Sequence, residues 1–190
     1  MDWILQNWME IAGALAGFVY IFLGIKANKW MWPVGLVTSV FYVVVFFDAK
    51  FYADMSLQFY YIFISIVGWY WWIKGGKNGK ELKISKTNST LYIKLITASI
   101  IIFFIYAFIL VKFTDSQLPY WDSLTTSLSI VASWMLARKL IEQWLLWVLI
   151  DLISMFLYIY KGLYPTSILF LIYTVLAIVG YYKWKKDLSL

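Results

Sequence analysis

Seven apolar runs follow one another along this chain of 190 residues, and each is about as long as a bilayer is thick. An α-helix rises about 1.5 Å per residue, so about 20 apolar residues cross the hydrocarbon core. The pattern predicts an all-α integral membrane protein with seven transmembrane helices. The predicted spans are 7–25, 30–47, 51–73, 91–112, 121–137, 141–160 and 163–182.

The composition agrees with a bilayer environment and excludes several classes of protein. Hydrophobic residues make up 63% of the chain and charged residues only 14%, against about 25% in soluble domains. The chain has no cysteine and no histidine, which excludes disulfides, thiol catalysis, Ser-His-Asp triads and Cys/His metal sites. There is no Walker-type loop and no pairing of a nucleophile with a base. We therefore expect no enzyme activity and no cofactor.

The basic residues predict an orientation. They form short clusters between the apolar runs, which is typical of membrane topology and not of a nucleic-acid site. Thirteen of them fall on one side of the predicted membrane and three on the other, Lys50, Lys112 and Lys161. The positive-inside rule then places the N-terminus outside and the C-terminus in the cytoplasm.

The two ends of the chain resemble each other. The third and seventh runs match at one offset, and the second and sixth at an offset three residues longer, which pairs Trp32 with Trp147 and places Leu36 opposite Asp151. The matched residues of the third and seventh runs are Tyr52, Tyr61, Gly68, Tyr70 and Trp72 with Tyr164, Tyr173, Gly180, Tyr182 and Trp184.

This repeat predicts a 3+1+3 arrangement. A second unit of three helices would be inverted if it followed the first directly, and one intervening helix restores its orientation. Parallel repeats around a central path are a known transporter plan. We expect a first three-helix bundle at 1–73, a cytoplasmic loop and linker helix at 74–112, and a second bundle with a cytoplasmic tail at 113–190.

Asp151 is the deepest charge in the predicted spans, where an aspartate costs roughly 2.5–3.5 kcal/mol on insertion scales. Trp144, Trp147 and Asp151 have the spacing of one helical stripe, and Tyr158 extends it by one heptad. Two indoles that lead to a carboxylate suit a flat cationic ring, through stacking and cation–π attraction. The alternative role for Asp151 is a hydrogen bond that holds two helices together.

Two further polar residues are candidates for the same site. Gln58 lies inside the third run, where a buried amide needs a partner, either a substrate or another helix. Asp122 begins the fifth run, where helix capping or an interfacial salt bridge is the alternative role.

Several segments resemble the PnuC family of vitamin transporters, and the similarity covers nearly the whole chain. The segment Trp-x-x-Trp-x-x-x-Asp, from Trp144 to Asp151, is the most specific. The others include Trp30 to Gly35, Phe51 to Asp54 with Gln58, Gly68 to Trp72, Ala137 to Glu142, and Lys161 to Thr166.

The resemblance implies a fold like that of the SWEET sugar transporters, with one central site between two bundles, in a bacterial inner membrane. It implies facilitated diffusion of an unphosphorylated vitamin by alternating access. A cytoplasmic kinase or pyrophosphokinase would trap the product without touching the carrier. Carried over residue by residue, it places Gln58, Trp144, Trp147 and Asp151 around the site, with Asp122 and Tyr158 as weaker candidates.

The substrate implied is a vitamin with a cationic ring. Nicotinamide riboside carriers of this family often have asparagine at the position of Asp151, and the segment Leu118 to Asp122 resembles the thiamine branch, PnuT. Our first prediction is therefore thiamine, and the alternative is nicotinamide riboside. A non-transporting membrane receptor or scaffold is a second alternative. Beyond the vitamin and the lipid bilayer we expect no nucleic-acid partner, and the sequence leaves oligomerisation open.

Overall fold

The computed structural model describes residues 8–48, 52–75, 79–162 and 164–188. Within these ranges the chain forms seven α-helices and no β-strand, which confirms the predicted all-α fold. The helices are α1 (Trp8–Ile25), α2 (Met31–Asp48), α3 (Tyr52–Lys74), α4 (Ser89–Phe113), α5 (Pro119–Ala137), α6 (Gln143–Tyr160) and α7 (Tyr164–Leu188).

The helices match the predicted spans closely, with one clear difference at the C-terminus. The last span was predicted to end at residue 182, but α7 continues to Leu188. The added turns contain lysines, which favour helix, and Lys183 pairs with Asp187 one turn later at 2.8 Å. The predicted tail is therefore mostly a polar extension of the last helix.

Three helical segments in the described part of the chain are long and apolar enough to cross a membrane by themselves: Ser89–Phe113, Gln143–Tyr160 and Thr166–Leu188. The other helices are shorter in their described apolar part or more polar. Polarity is tolerated where it faces other helices, and α5 buries Ser123, Ser127, Ser129 and Ser133 in the protein.

Six helices form a closed ring. Each packs against the next in the order α1, α2, α3, α5, α6, α7, and α7 returns to α1. The first half, α1 to α3, therefore meets the second half, α5 to α7, at two matching interfaces. α4 packs against α5 and presents large apolar side chains outward, among them Ile93, Phe104 and Phe108, each at least 60% exposed. Such a surface suits lipid.

The halves repeat each other in structure at one constant offset of 112 residues, and their first turns show this most clearly. Ala27 and Lys139 both have a positive φ, of 49° and 51°. The amide of each donates to the carbonyl three residues earlier, that of Gly24 or Leu136, at 2.9 Å in both turns. The backbone of the two turns is therefore the same residue by residue.

Four tryptophans extend this correspondence into the core. The rings of Trp32 and Trp72 meet edge to face, with centroids 5.4 Å apart and planes at 90°. The rings of Trp144 and Trp184 do the same at 5.6 Å and 89°. Members of the two pairs are again 112 residues apart. Edge-to-face contact is a favoured arrangement of aromatic rings, so each half carries the same packing unit.

The constant offset shows that the predicted register of the second and sixth helices was wrong. Trp32 corresponds to Trp144 and not to Trp147, and the counterpart of Asp151 is Ser39 and not Leu36. When α2 and α6 are aligned at this offset, only one pair of residues is identical, Trp32 and Trp144. Sequence identity therefore favoured a register about one turn away. Packing against the glycine of the next helix in each half decides the register.

A short segment closes one end of the ring. This basic end carries the α1–α2 and α5–α6 turns and the stretch from Gly79 to Asn88. Leu82 donates its amide to the carbonyl of Trp72, and Ser85 exchanges main-chain hydrogen bonds of 3.0 Å with Lys139 and Ile141. The segment therefore ties the end of α3 to the α5–α6 turn.

Candidate functional site

The ring encloses a cavity of about 1210 Å³ between the two halves. At the basic end it is lined by Gly24, Met31, Leu136 and Gln143, all of which are buried. At the other end it is lined by the α4–α5 connection, where Thr114, Asp115 and Gln117 are exposed. The cavity is therefore closed at the basic end, which we call its floor, and opens at the opposite end, its mouth.

All six residues singled out in the sequence border this one cavity. They are Gln58 on α3, Asp122 on α5, and Trp144, Trp147, Asp151 and Tyr158 on α6. The structure brings them together across both halves, and their role in binding stays a prediction.

Asp151 lies in the wall of the cavity with only 5% of its surface exposed. Within the described ranges, no lysine or arginine lies at salt-bridge distance from it. A buried carboxylate is usually paired or accounted for by function. Trp147, which also lines the cavity, lies four residues before Asp151 and so one turn nearer the floor. The aromatic face of Trp147 and the carboxylate of Asp151, which attracts positive charge, are therefore adjacent.

Trp144 has a different setting from Trp147. Its ring packs so closely on α7 that a Cβ at Gly180 would lie 2.7 Å from it, and it meets Trp184 edge to face. It is 5% exposed, and its indole Nε1 has no hydrogen-bond partner in the part of the chain that the structure describes. Trp144 therefore builds the floor of the cavity as a member of the repeated tryptophan unit, with Trp32 as its counterpart.

The remaining candidates lie nearer the mouth. Tyr158 stacks on Phe170 with ring centroids 5.1 Å apart and planes at 24°. Asp122 accepts a hydrogen bond of 2.6 Å from Ser116, and Lys161 lies 3.5 Å from its other carboxylate oxygen. Asp122 is therefore already paired within the protein, as its alternative role predicted.

Two tyrosines occupy matching positions on α3 and α7. The side chain of Tyr61 lies close to that of Ser129 on α5. The hydroxyl of Tyr173 lies 2.8 Å from where a Cβ of Gly17 on α1 would stand. Both tyrosines line the cavity, so each interface between the halves contributes a phenol to its wall.

The wall of the cavity is symmetric in position but not in chemistry. Three cavity-lining residues of α6 lie four residues apart on one face, and their counterparts lie on α2. The first half contributes Met31, Gly35 and Ser39, and the second half contributes Gln143, Trp147 and Asp151. The amide, the indole and the carboxylate are thus all on one helix. We call these three residues, Gln143, Trp147 and Asp151, the α6 stripe.

Comparison with known proteins settles the family. Residues 7–186 match the sequence model of the family described as nicotinamide mononucleotide transporter. The chain belongs to this family, the PnuC family. It is 30% identical to the nicotinamide riboside transporter PnuC of Escherichia coli (strain K12), over 94% of this chain and 85% of that protein. It is also 25% identical to the riboflavin/roseoflavin transporter RibM of Streptomyces davaonensis, over 93% of this chain and 84% of the relative.

A solved structure agrees on the fold. The crystal structure of the vitamin B3 transporter PnuC superposes with a TM-score of 0.78, covering 99% of this chain and 85% of that one, at 22% identity. Together these findings confirm the PnuC family and the integral membrane fold predicted from the sequence. The protein is a multi-pass membrane transporter of the PnuC family and not an enzyme. The relatives named above are transporters of nicotinamide riboside or riboflavin, so they favour our alternative substrate over thiamine.

Sequence reasoning missed three features of the PnuC-family cavity. Gln143 falls inside the predicted span 141–160 and was not singled out as a site residue, although it is fully buried and lines the floor. Tyr61 and Tyr173 were noted as members of the repeat and not as wall residues. The spacing of four residues between Gln143, Trp147 and Asp151 was the signal that could have found the first.

Proposed function

We propose that this protein carries nicotinamide riboside across the bacterial inner membrane by facilitated diffusion. The observation that carries the proposal is the carboxylate of Asp151, which lies buried in the cavity wall one turn from Trp147 and has no ion pair with any described residue. Nicotinamide riboside has a flat pyridinium ring with a permanent positive charge. Stacking on the indole and attraction to the carboxylate suit that ring, and both are stronger beside buried protein groups than in bulk water.

The choice of nicotinamide riboside rests on the relatives. Relatives from Escherichia coli, Neisseria mucosa and Haemophilus influenzae are each named nicotinamide riboside transporter PnuC. The relative from Streptomyces davaonensis is named for riboflavin and roseoflavin, so the family carries more than one vitamin. Each of these substrates has a flat heteroaromatic ring, which fits the tryptophan of the α6 stripe.

Thiamine is the second candidate, and one observation favours it. Asp151 supplies a full negative charge, whereas the family resemblance associates asparagine at this position with nicotinamide riboside carriers. A carboxylate attracts a thiazolium ring as well as a pyridinium ring. Charge alone therefore does not separate the two substrates, whereas competition for uptake does.

We propose alternating access between two bundles, residues 1–73 and 113–190, with 74–112 as the linker. The two interfaces between the halves, α1 with α7 and α3 with α5, are equivalent in the ring, so a rocking motion would open one end as it closes the other. The distribution of basic residues supports an outside N-terminus and a cytoplasmic basic end. With that orientation the described cavity faces outward. A cytoplasmic kinase would then trap the product without physical contact.

The test is uptake into proteoliposomes. Purified protein in vesicles should equilibrate labelled nicotinamide riboside without concentrating it, and a proton or sodium gradient should not change the rate. Excess unlabelled nicotinamide riboside should compete strongly, and thiamine and riboflavin weakly. Stronger competition by thiamine would reverse the order of the two candidates. Calorimetry that detects no binding of any of the three vitamins would favour a receptor or scaffold instead.

A further inference from the structure

Gln143 is fully buried, and neither Oε1 nor Nε2 of its amide has a hydrogen-bond partner among the described residues. A buried polar group without a partner costs about 1–3 kcal/mol, so such groups are rare and need an explanation. Gln143 is the first residue of α6 and is one of the residues that line the floor of the cavity. The residue therefore borders the space that a substrate would occupy.

The repeat shows that the fold does not require an amide at this position. Met31, the counterpart of Gln143 in the first half, lines the same floor and is 1% exposed. Methionine has almost the same length and volume as glutamine and no hydrogen-bonding need. Because an apolar side chain fills the equivalent place, packing alone does not explain the glutamine.

The α6 stripe indicates what the amide could contact. Gln143 and Asp151 are eight residues apart, about 12 Å along a helix, with Trp147 midway between them. A ring stacked on Trp147 would direct one edge toward the amide at the floor and the opposite edge toward the carboxylate. A glutamine amide offers one acceptor and two donors in one plane, and a primary carboxamide offers the matching set.

We infer that Gln143 is a specificity-determining residue that hydrogen-bonds a planar polar substituent on the ring of the substrate, the carboxamide of nicotinamide riboside. This inference rests on the proposed function. In this arrangement Trp147 stacks on the ring, and Asp151 faces the positive charge and the sugar hydroxyls. Gln143 hydrogen-bonds the carboxamide. The bound carboxamide would supply the partners that the amide lacks among the described residues.

The test compares two ligands that differ only in this substituent. Nicotinamide riboside and ribosylpyridinium have the same charge and the same sugar, but the second has no carboxamide. Affinities are measured by calorimetry on the purified full chain for the wild type, Gln143→Met and Gln143→Glu. We expect Gln143→Met to weaken binding of nicotinamide riboside about tenfold and to change that of ribosylpyridinium less than about twofold, as loss of one polar contact would. Gln143→Glu keeps the shape and the acceptor but loses the donor and adds a negative charge, which attracts both cations alike. The ratio of the two affinities in Gln143→Glu should therefore fall between that of the wild type and that of Gln143→Met.

Met31→Leu is the matched control, because it alters the floor at the equivalent position without removing a polar group. It should leave the ratio of the two affinities unchanged, and melting temperatures verify that each variant is folded. Equal weakening of both ligands by Gln143→Met, or no weakening of either, would overturn the inference while the proposed function stands. If the wild type binds thiamine and neither riboside, the proposed substrate and this inference fail together.

Discussion

The indole Nε1 of Trp184, on the last helix, donates a hydrogen bond of 3.0 Å to the main-chain carbonyl of Gly24, on the first. The matching bond in the other interface runs from Trp72 to the carbonyl of Leu136, at 3.2 Å. Both tryptophans are fully buried. Each half therefore holds the turn of the other half at the basic end, and these two bonds must break or move together if that end opens.

Replacing these tryptophans should loosen the basic end. Trp184→Phe and Trp72→Phe keep an aromatic ring but remove the donor, which should lower the free energy of unfolding by about 0.5–1.5 kcal/mol each. Because the chain has no native cysteine, Ser133→Cys in the cavity wall can report access to a maleimide added on the basic side. We expect faster labelling in both tryptophan variants.

Trp30→Phe is the control for this experiment, because Trp30 is 58% exposed and lies outside the repeated tryptophan unit. It should leave the labelling rate of Ser133→Cys unchanged. Labelling that is equally slow in the Trp184, Trp72 and Trp30 variants would mean that these hydrogen bonds do not restrain the closed end.

The two repeated glycines should differ in function although they are equivalent in packing. A Cβ at Gly68 would lie 2.5 Å from the ring of Trp32, and one at Gly180 would lie 2.7 Å from the ring of Trp144. Overpacking of this kind costs about 1–3 kcal/mol, so alanine at either position should lower the melting temperature.

Only the second substitution should also weaken substrate binding, because Trp144 lines the cavity and Trp32 does not. Calorimetry on Gly68→Ala and Gly180→Ala, beside thermal unfolding, measures the two effects separately. Equal affinities of the two variants for the substrate would show that displacement of Trp144 does not affect substrate binding.

Asp151→Asn should weaken a cationic substrate selectively. Removing the charge should reduce the affinity for nicotinamide riboside about tenfold, since charge-assisted contacts are stronger than neutral ones. The affinity for the reduced, uncharged form of the riboside should fall much less in this variant. Asp187→Asn makes the same chemical change near the C-terminal end of α7, where the carboxylate pairs with Lys183, and should alter neither affinity. A similar loss for both forms of the riboside would argue that Asp151 acts through hydrogen bonding and not through charge.

Ala27→Gly should stabilise the protein. Ala27 has a φ of 49°, and the left-handed region costs a residue with a Cβ about 1 kcal/mol or more. Glycine adopts this conformation freely, so the melting temperature should rise. The same change at Ala132, which is fully buried inside α5, should lower it. A fall in melting temperature for Ala27→Gly would mean that the methyl group contributes more by packing than it costs in backbone strain.

Lys139 should make stability depend on pH. Burial lowers the pKa of this lysine, and the hydrogen bond and charge of Glu81, 3.1 Å away, only partly oppose the effect. A lysine whose pKa is lowered on folding loses its proton from the folded state first. The unfolded chain then binds more protons, so stability should rise as the pH increases through the lowered pKa.

The difference between the wild type and Lys139→Met isolates this contribution. The Nζ of Lys139 lies 4.4 Å from the centroid of the Trp72 ring. Methionine places an unbranched apolar side chain there and removes the charge, so the rise with pH should be smaller in the variant. Lys183→Met, at an exposed position, should keep the rise of the wild type. Chemical unfolding over a series of alkaline buffers measures all three proteins, and parallel curves for the wild type and Lys139→Met would contradict the prediction.

The sequence predicted the helices well because each one is a local property. A helix that crosses a bilayer requires a run of about 20 apolar residues, and such a run can be recognised from the hydropathy of consecutive residues. The deep position of Asp151 could also be predicted, since a carboxylate far from either end of an apolar run is conspicuous. The end of α7 was predicted too early because hydropathy marks where a helix leaves the lipid, not where its hydrogen bonds stop.

The pairing of the halves could not be predicted in the same way. Identical letters placed Trp32 opposite Trp147, but a register is set by which side chain fits against the glycine of the next helix. That fit involves residues far apart in the chain, such as Trp144 and Gly180. The sequence by itself determined a seven-helix membrane protein with a repeated unit and one deep carboxylate. Only the tertiary structure decided that Gln143, Trp147 and Asp151 face one cavity opposite Met31, Gly35 and Ser39, because that depends on how six helices close into a ring.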